Sequence, residues 1–450
     1  MFDWIVILPP IAAIAIALWR KEVILSLLVA LFLSEWIIAS LHPGLAFTQL
    51  LERIVSVFES SSNTSVLLFS LMVGILIEYI KDSGGVSAVV RHLSQIGLTR
   101  TPKQVGLLTS ITGLLIFIET NLSILTAGIL SRGLFDKFKM SRERLAYIVD
   151  STCAPVAVLI LLNGWGAYLL GLIGNYEIES PVSVLASTIP LNFYAILSLG
   201  MVFYTVLSGK VYGPMRKQET YDTETDLEDT ESPTKARYML IPLSIMTGGI
   251  LFFLWLTGDG NIMQGEGATS VLWATSLAIA VGYLLLRIDK VYTHKELVDL
   301  SFKGMGNLLP LVTIVLLSIA LGLSLRALGT GTYIATLIGD YLPQFLIIPL
   351  IFLASGAIAF TTGTSWGTFA IMIPIGIPLA LDLSLSTPLL LSSIIGGGVF
   401  GDHCSPISDT TLMSSLAAGC DHLDHVKTQL PYALVTGGIT FLIYLLLGLI

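Results

Sequence analysis

The sequence predicts an all-α polytopic membrane protein made of two inverted five-span repeats, each with a re-entrant hairpin and a broken helix. Three observations lead there. Of the 450 residues, 54% are hydrophobic and only 12% charged, and the apolar residues recur in runs near the roughly 20 residues that a helix needs to cross a bilayer. Several runs carry a polar knot at their middle. Basic residues gather in alternate loops. The short alternating segments of a transmembrane barrel are absent.

In chain order, the apolar runs define spans near 4–19, 22–41, 64–80, 142–172, 186–208, 238–257, 268–287, 307–326, 387–418 and 429–449. The first run has no basic flank ahead of it and ends in Arg20-Lys21 instead of a small-residue cleavage site, so it reads as a retained span. Two further apolar regions, 104–134 and 345–381, are interrupted by Glu119-Thr120-Asn121 and by Thr361-Thr362-Gly363-Thr364-Ser365. Each half reads as too short to cross, which makes both regions re-entrant hairpins with polar tips near the membrane centre.

Lys and Arg collect in cytoplasmic loops, and this tests the order of spans. With Arg20-Lys21 inside and each hairpin returning to the face it left, Arg91, Arg100, Lys103, Arg132, Lys137, Lys139, Arg142, Arg144, Arg287, Lys290, Lys295 and Lys427 fall inside. The loops 173–185, 258–267 and 327–344 hold no basic residue, and of 23 only Arg53 falls outside and Arg326 in the membrane. Both termini are then outside a bacterial-type inner membrane. The first hairpin enters from the cytoplasm and the second from the exterior.

The stretch 209–237, with Glu219, Asp222, Glu224, Asp226, Glu228, Asp229 and Glu231, reads as a solvated cytoplasmic linker. It divides the chain into a first repeat, 1–208, and a second, 238–450. Aligning Pro155 with Pro406 pairs Thr152-Cys153-Ala154-Pro155 with His403-Cys404-Ser405-Pro406, and Gly113 and Phe117 match Gly356 and Phe360 at another offset. Glu78 and Arg326, late in matching spans, form a candidate ion pair. Cys153, Cys404 and Cys420 are odd in number and lie in or beside apolar sequence, which argues against a disulfide framework.

The chemistry concentrates in Gly396-Gly397-Gly398-Val399-Phe400-Gly401-Asp402-His403-Cys404-Ser405-Pro406-Ile407-Ser408-Asp409-Thr410-Thr411. Proline and glycine break a helix there and free backbone groups at membrane depth, as secondary transporters do at their ion sites. The matching break is expected at 150–155. The two breaks and two hairpin tips would then assemble one midplane site. Its ion- and proton-coupling candidates are Glu119, Asp150, Asp402, His403 and Asp409, because a charge at the bilayer centre costs about 2.5–3.5 kcal/mol and needs a function to justify it. The alternative is that they cap broken helices, Asp409 above all. Thr120, Asn121, Ser151, Thr152, Thr362, Gly363, Thr364, Ser365, Ser405 and Ser408 complete the binding set. Oxygen ligands suit a hard cation, and Asp150, Asp402, Asn121 and Thr364 are the Na⁺ candidates. Trp165 and Trp366 either line a pocket or simply pack.

The run Gly401-Asp402-His403-Cys404-Ser405-Pro406-Ile407-Ser408-Asp409-Thr410-Thr411, with Gly363-Thr364-Ser365-Trp366-Gly367-Thr368 before it, closely resembles the NhaC family of Na⁺/H⁺ antiporters over nearly the whole chain. The resemblance implies the wider ion transporter superfamily, with inverted repeats, paired re-entrant hairpins, homodimers and elevator-like motion. It leaves the substrate open between Na⁺/H⁺ exchange and carriage of a small organic anion or amino acid.

The expected function is therefore secondary active transport, foremost Na⁺/H⁺ antiport, with a Na⁺-coupled carrier of a carboxylate or amino acid as the alternative. Na⁺, H⁺ and membrane lipid are the expected partners, with no cofactor and no nucleic acid. A hydrolase drawn from Asp402, His403 and Ser405 fails because adjacent residues cannot adopt nucleophile, base and orienter geometry. Nothing marks a symmetric channel pore.

Overall fold

The computed structural model describes residues 3–86, 88–89, 100–117, 119–176, 178–218 and 234–449. Arg91 and most of the acidic linker lie outside the described residues. The described residues are all-helical. By length and composition, seven helices qualify to cross a membrane, or up to ten if each of three bent helix pairs counts as one span. The chain is an integral membrane protein.

The first span region contains α1 (Leu8–Arg20), α2 (Val23–Ile38) and α3 (Pro43–Ser56). Helix α3, which the apolar-run reading passed over, turns 119° from α2. Arg53 reaches back from it to Glu35, 2.7 Å away and 1% exposed, so the one basic residue that broke the loop pattern is paired with a buried carboxylate. Leu45, Phe47, Leu51 and Val55 are exposed on α3, the apolar face of an amphipathic helix.

Helix α4 (Ser61–Asp82) follows, and then α5 (Pro102–Leu115) and α6 (Thr120–Lys137) form the first hairpin. Two bonds across it, Ser123 Oγ to the Gly113 carbonyl at 3.0 Å and Thr109 to Ser131 at 2.7 Å, fix its antiparallel register. Then come α7 (Arg142–Leu159), α8 (Gly164–Ile173), α9 (Pro181–Thr188), α10 (Phe193–Ser208) and the short α11 (Pro214–Gln218). The second part of the chain holds α12 (Arg237–Thr257), α13 (Gly267–Ile288), α14 (His294–Leu328) and α15 (Thr330–Tyr341). After these come α16 (Gln344–Thr362), α17 (Ser365–Asp382), α18 (Thr387–Cys404), α19 (Asp409–Ala418) and α20 (His422–Gly448). Helix α14 has 35 residues, about 52 Å at 1.5 Å per residue. The expected span 307–326 is only its C-terminal part.

Three expectations need correction. The limbs of the second hairpin, α16 and α17, have 19 and 18 residues and each qualifies as a span, so they are not too short to cross. Glu78 does not meet Arg326. It pairs with Lys303 at 2.6 Å, while Arg326 donates to the Asn175 carbonyl. The first helix break is not at 150–155, because α7 runs through Pro155 and ends at Leu159.

A proline inside a helix frees the carbonyl four residues back. For Pro155 that is Ser151, whose carbonyl accepts a 3.5 Å bond from Ser198 Oγ on α10. The helix continues through the proline, and the neighbour offers the freed carbonyl a long hydrogen bond. At Pro406 no regular helix is kept. Ser405 adopts an extended backbone and Ser408 starts a new helix by capping Thr411 N–H.

The described helices carry an internal repeat in another register than the prolines suggest. Helices α6, α7 and α8 have 18, 18 and 10 residues, as do α17, α18 and α19, and each start recurs 245 positions later, at 120 and 365, 142 and 387, 164 and 409. The N-caps recur with them: Glu119 and Thr364, Ser141 and Ser386, Asn163 and Ser408. Lys139 and Ser384, at the same spacing, both have left-handed backbones. The Pro155 to Pro406 alignment is therefore six residues out of this register.

The two sets interlock. Helix α6 lies along α19, with Gly128 so close to Ala417 that a Cβ would clash. Arg132 donates to the Leu416 and Ala417 carbonyls at 2.8 Å, and Arg142 to the Gly419 carbonyl at 3.1 Å. These cations satisfy the free carbonyls at the negative end of α19.

Candidate functional site

Each break is tied to the hairpin of its own half. Asn163 Nδ2 donates to the carbonyls of Phe117, Ala157 and Ile160 at 2.8–3.0 Å. Ser405 Oγ donates to the Phe360 carbonyl at 2.6 Å. A polar side chain in the gap thus holds the hairpin by a carbonyl near its tip in both halves, and backbone freed at membrane depth is satisfied within the protein. At the second tip, Gly363 has a left-handed φ of +70° and sits against the Ile407 backbone, where no Cβ would fit.

These ties bring the tips and breaks around one cavity of about 260 Å³. Glu119, Thr120 and Asn121 reach it from the first tip, Thr364, Ser365 and Trp366 from the second. Gly164 and Trp165 come from the first break, Asp402, Asp409 and Thr410 from the second. Part of α14, from Asn307 to Ile314, closes it. Among the described residues, three carboxylates face this space and no Lys, Arg or His lines it. Trp165 and Trp366 lie 4.9 Å apart by ring centroid, and Tyr168 stacks on Trp366 and donates to its carbonyl, so the tryptophans both pack and line the wall.

Asp402, 1% exposed, accepts hydrogen bonds from Ser408 Oγ at 2.9 Å and Thr410 Oγ1 at 2.8 Å. Asp409 accepts from the N–H of Thr410, but the cap of α19 is Ser408, and of the three cavity carboxylates the one that caps a helix is Glu119. Its two oxygens take the N–H groups of Asn121 at 3.0 Å and Leu122 at 2.6 Å. Four helix N-termini, those of α6, α8, α17 and α19, reach the cavity, a favourable setting for negative charge. The buried Asn121 Oδ1 has no hydrogen-bond donor, as suits an oxygen offered to a cation.

Asp150 and His403 stand behind this cavity instead of lining it. Fully buried, Asp150 Oδ2 accepts from Gln429 Nε2 at 2.6 Å and Thr411 Oγ1 at 3.2 Å, with His425 Nε2 at 3.6 Å. Its Oδ1 is unpartnered. Gln429 also donates to the His403 carbonyl at 3.0 Å, and His403 Nδ1 shares a 3.0 Å bond with Tyr194 OH. Thr411 spans both groups, since it also approaches the Asp402 carbonyl at 3.4 Å. Among the described residues, no ion pair brings a Lys or Arg to Glu119, Asp150, Asp402 or Asp409.

The remaining sequence candidates have local tasks. Thr152 bonds back to the Ile148 and Val149 carbonyls, Thr362 to the Ile358 carbonyl, and the Ser151 carbonyl takes the bond that Pro155 cannot supply. Ser365 Oγ donates to the Gly398 carbonyl at 3.3 Å. Sequence reasoning missed Asn163, Asn307, Tyr194, His425 and Gln429. Asn163 had a signal, a cap residue before Gly164-Trp165. His425 and Gln429 stand one turn apart, but they lie in the polar stretch 421–429 ahead of the apolar run, where two more polar residues do not stand out.

The fold and the polar gap between paired helices describe a membrane protein with an internal polar site, and the comparisons make it a secondary transporter. A family model described as the Na⁺/H⁺ antiporter family matches residues 156–449. The chain belongs to that family. It is 31% identical to an uncharacterized protein of Haemophilus influenzae over 98% of this chain and 90% of that one. It is likewise 31% identical to the malate-2H⁺/Na⁺-lactate antiporter of Bacillus subtilis, but over only 37% of this chain and 35% of that protein. Its fold resembles the YdaH transporter of Alcanivorax borkumensis, with a TM-score of 0.63 at 14% identity, covering 89% of this chain and 88% of that one.

Proposed function

We propose that the protein exchanges Na⁺ for H⁺ at the carboxylates that face the central cavity. The observation that carries this reading is the lining itself: Glu119, Asp402 and Asp409 with the hydroxyls of Thr364 and Thr410, and no basic side chain. Such a wall attracts a cation. Glu119, Asp402 and Asn121 offer Na⁺ hard oxygen ligands, and a proton taken by the same carboxylates excludes it, so binding alone couples the two ions. The two halves lie inverted across a bacterial inner membrane, termini outside, and the protein pairs as a homodimer.

A second reading has one observation in its favour. A space of about 260 Å³ flanked by Trp165 and Trp366 is far larger than an ion needs. A small amino acid or carboxylate would fit it, with its carboxylate against the helix N-termini and Na⁺ at the acidic wall. The partial relative in Bacillus subtilis, named for malate, lactate, Na⁺ and H⁺, is compatible with either.

Proteoliposomes holding the full-length protein and a trapped pH dye test the two readings. Alkalinisation or acidification driven by an imposed Na⁺ gradient alone is the expected result for exchange. A pH response that appears only when malate, lactate or an amino acid is added would reject exchange of ions alone and favour the carrier.

A further inference from the structure

A second cavity of about 180 Å³ adjoins the central one and shares Ile77, Glu119, Asn121, Asn307 and Leu308 with it. Its other wall includes Glu78 and Lys81 of α4 and Gly304 of α14. Glu78 is nearly sealed off, its side chain 3% exposed, and its carboxylate meets Lys303 Nζ at 2.6 Å and Asn307 Nδ2 at 3.5 Å. Lys303 is 59% exposed. The pair is lopsided: the anion is fixed inside, while its cation arrives on a flexible stem from the surface.

We propose that Glu78 is a second cation-binding group, set in a passage from one face of the protein to the central cavity, and that Lys303 is a tethered cation that occupies it between transport events. This rests on the reading that a cation is carried. A buried carboxylate is costly once its paired cation leaves, so Lys303 withdraws when another monovalent cation takes its place, charge for charge. An ammonium on a four-carbon stem regains water at little cost when it swings outward. Asn307 touches Glu78 and lines the central cavity, so the next oxygen-bearing groups inward are Glu119 and Asn121. The helices themselves stay put. Gly74, one turn before Glu78, packs on Gly304, the neighbour of Lys303, with no room for a Cβ on either. The side chain is the part that yields.

The test uses full-length protein in liposomes, with Cys153, Cys404 and Cys420 changed to serine and Leu308→Cys as a reporter on the shared wall. Its rates with a cationic and a neutral methanethiosulfonate reagent are compared. The reporter is expected to react with both, more slowly when Na⁺ is present. The cationic-to-neutral ratio should fall on the order of tenfold in Glu78→Gln and rise in Lys303→Met. The double variant Glu78→Gln/Lys303→Met leaves no buried charge unpaired and so guards against misfolding. It should keep the low ratio and a raised KM for Na⁺. An unreactive reporter overturns the passage, and equal ratios in all variants overturn the cation-binding role. A double variant that recovers the parent's ratio and KM makes the pair structural. If the ratio follows Glu78 but the parent moves no Na⁺, the passage stands and the Na⁺ reading is the part that fails.

Discussion

The segment α5–α8 and the segment α16–α19 share a frame and divide the chemistry. In the first, the carboxylate is on the hairpin tip, Glu119, and the break carries the amide of Asn163. In the second, the tip carries the hydroxyl of Thr364 and the break is flanked by Asp402 and Asp409. Glu119 and Thr364 occupy the same capping position, as do Asn163 and Ser408. Capping asks only for a side-chain oxygen near free N–H groups. The repeat therefore preserves the cap and leaves its charge free to differ. Opposed carboxylates on unlike pieces are what give the cavity a negative wall from two sides.

The largest expected effect comes from breaking this division at its charged end. Asp402→Asn should fold, because an amide oxygen still accepts from Ser408 or Thr410, but Na⁺-driven proton movement should drop to the background of empty liposomes. Undiminished exchange would remove Asp402 from the site. Next is Asp150→Ala, which strips Gln429 and Thr411 of a buried acceptor. The expected loss is about 2–4 kcal/mol of stability, read as a fall in the midpoint of thermal unfolding in detergent.

The caps sharpen the comparison. Ser408→Ala removes a cap and one of the two hydroxyl bonds to Asp402, and should cost about 1–2 kcal/mol. Asn163→Ala removes a cap and the two N–H donors shared among three carbonyls, and should cost about 2–3 kcal/mol. Equal losses would mean that the tie between break and hairpin matters little in the first half. The smallest effect is expected for Ser198→Ala, under about 1 kcal/mol, since its bond to the Ser151 carbonyl is long. In a Pro155→Ala background that loss should vanish, because the substitution restores a backbone N–H as the helical donor.

The polar knots were legible in the sequence, and so was their meeting with the second break, because glycine, proline and carboxylates are conspicuous in apolar sequence. The place of the first break was not. Pro155 looks like Pro406 in sequence, and Ser198, which donates to the freed carbonyl, lies 47 positions from Ser151 on α10. The better guide was the weaker match of Gly113 and Phe117 with Gly356 and Phe360, whose offset of 243 is close to the helical register. Asp150 was read as part of a break because charge at depth suggests irregular backbone. It sits instead in a regular helix, with one carboxylate oxygen held by Gln429 and Thr411 from the far half, contacts between residues more than 250 positions apart that no local pattern announces.

The central claim is that Na⁺ and protons compete for the carboxylates of one cavity. Isothermal titration of Na⁺ into the purified protein, repeated in buffers of different ionisation enthalpy between about pH 6 and 9, reads it directly. Competition requires that the apparent affinity for Na⁺ weaken as pH falls, that Na⁺ binding release protons, and that both effects disappear in Asp402→Asn. Na⁺ binding with the same affinity across that range and no proton release would contradict it.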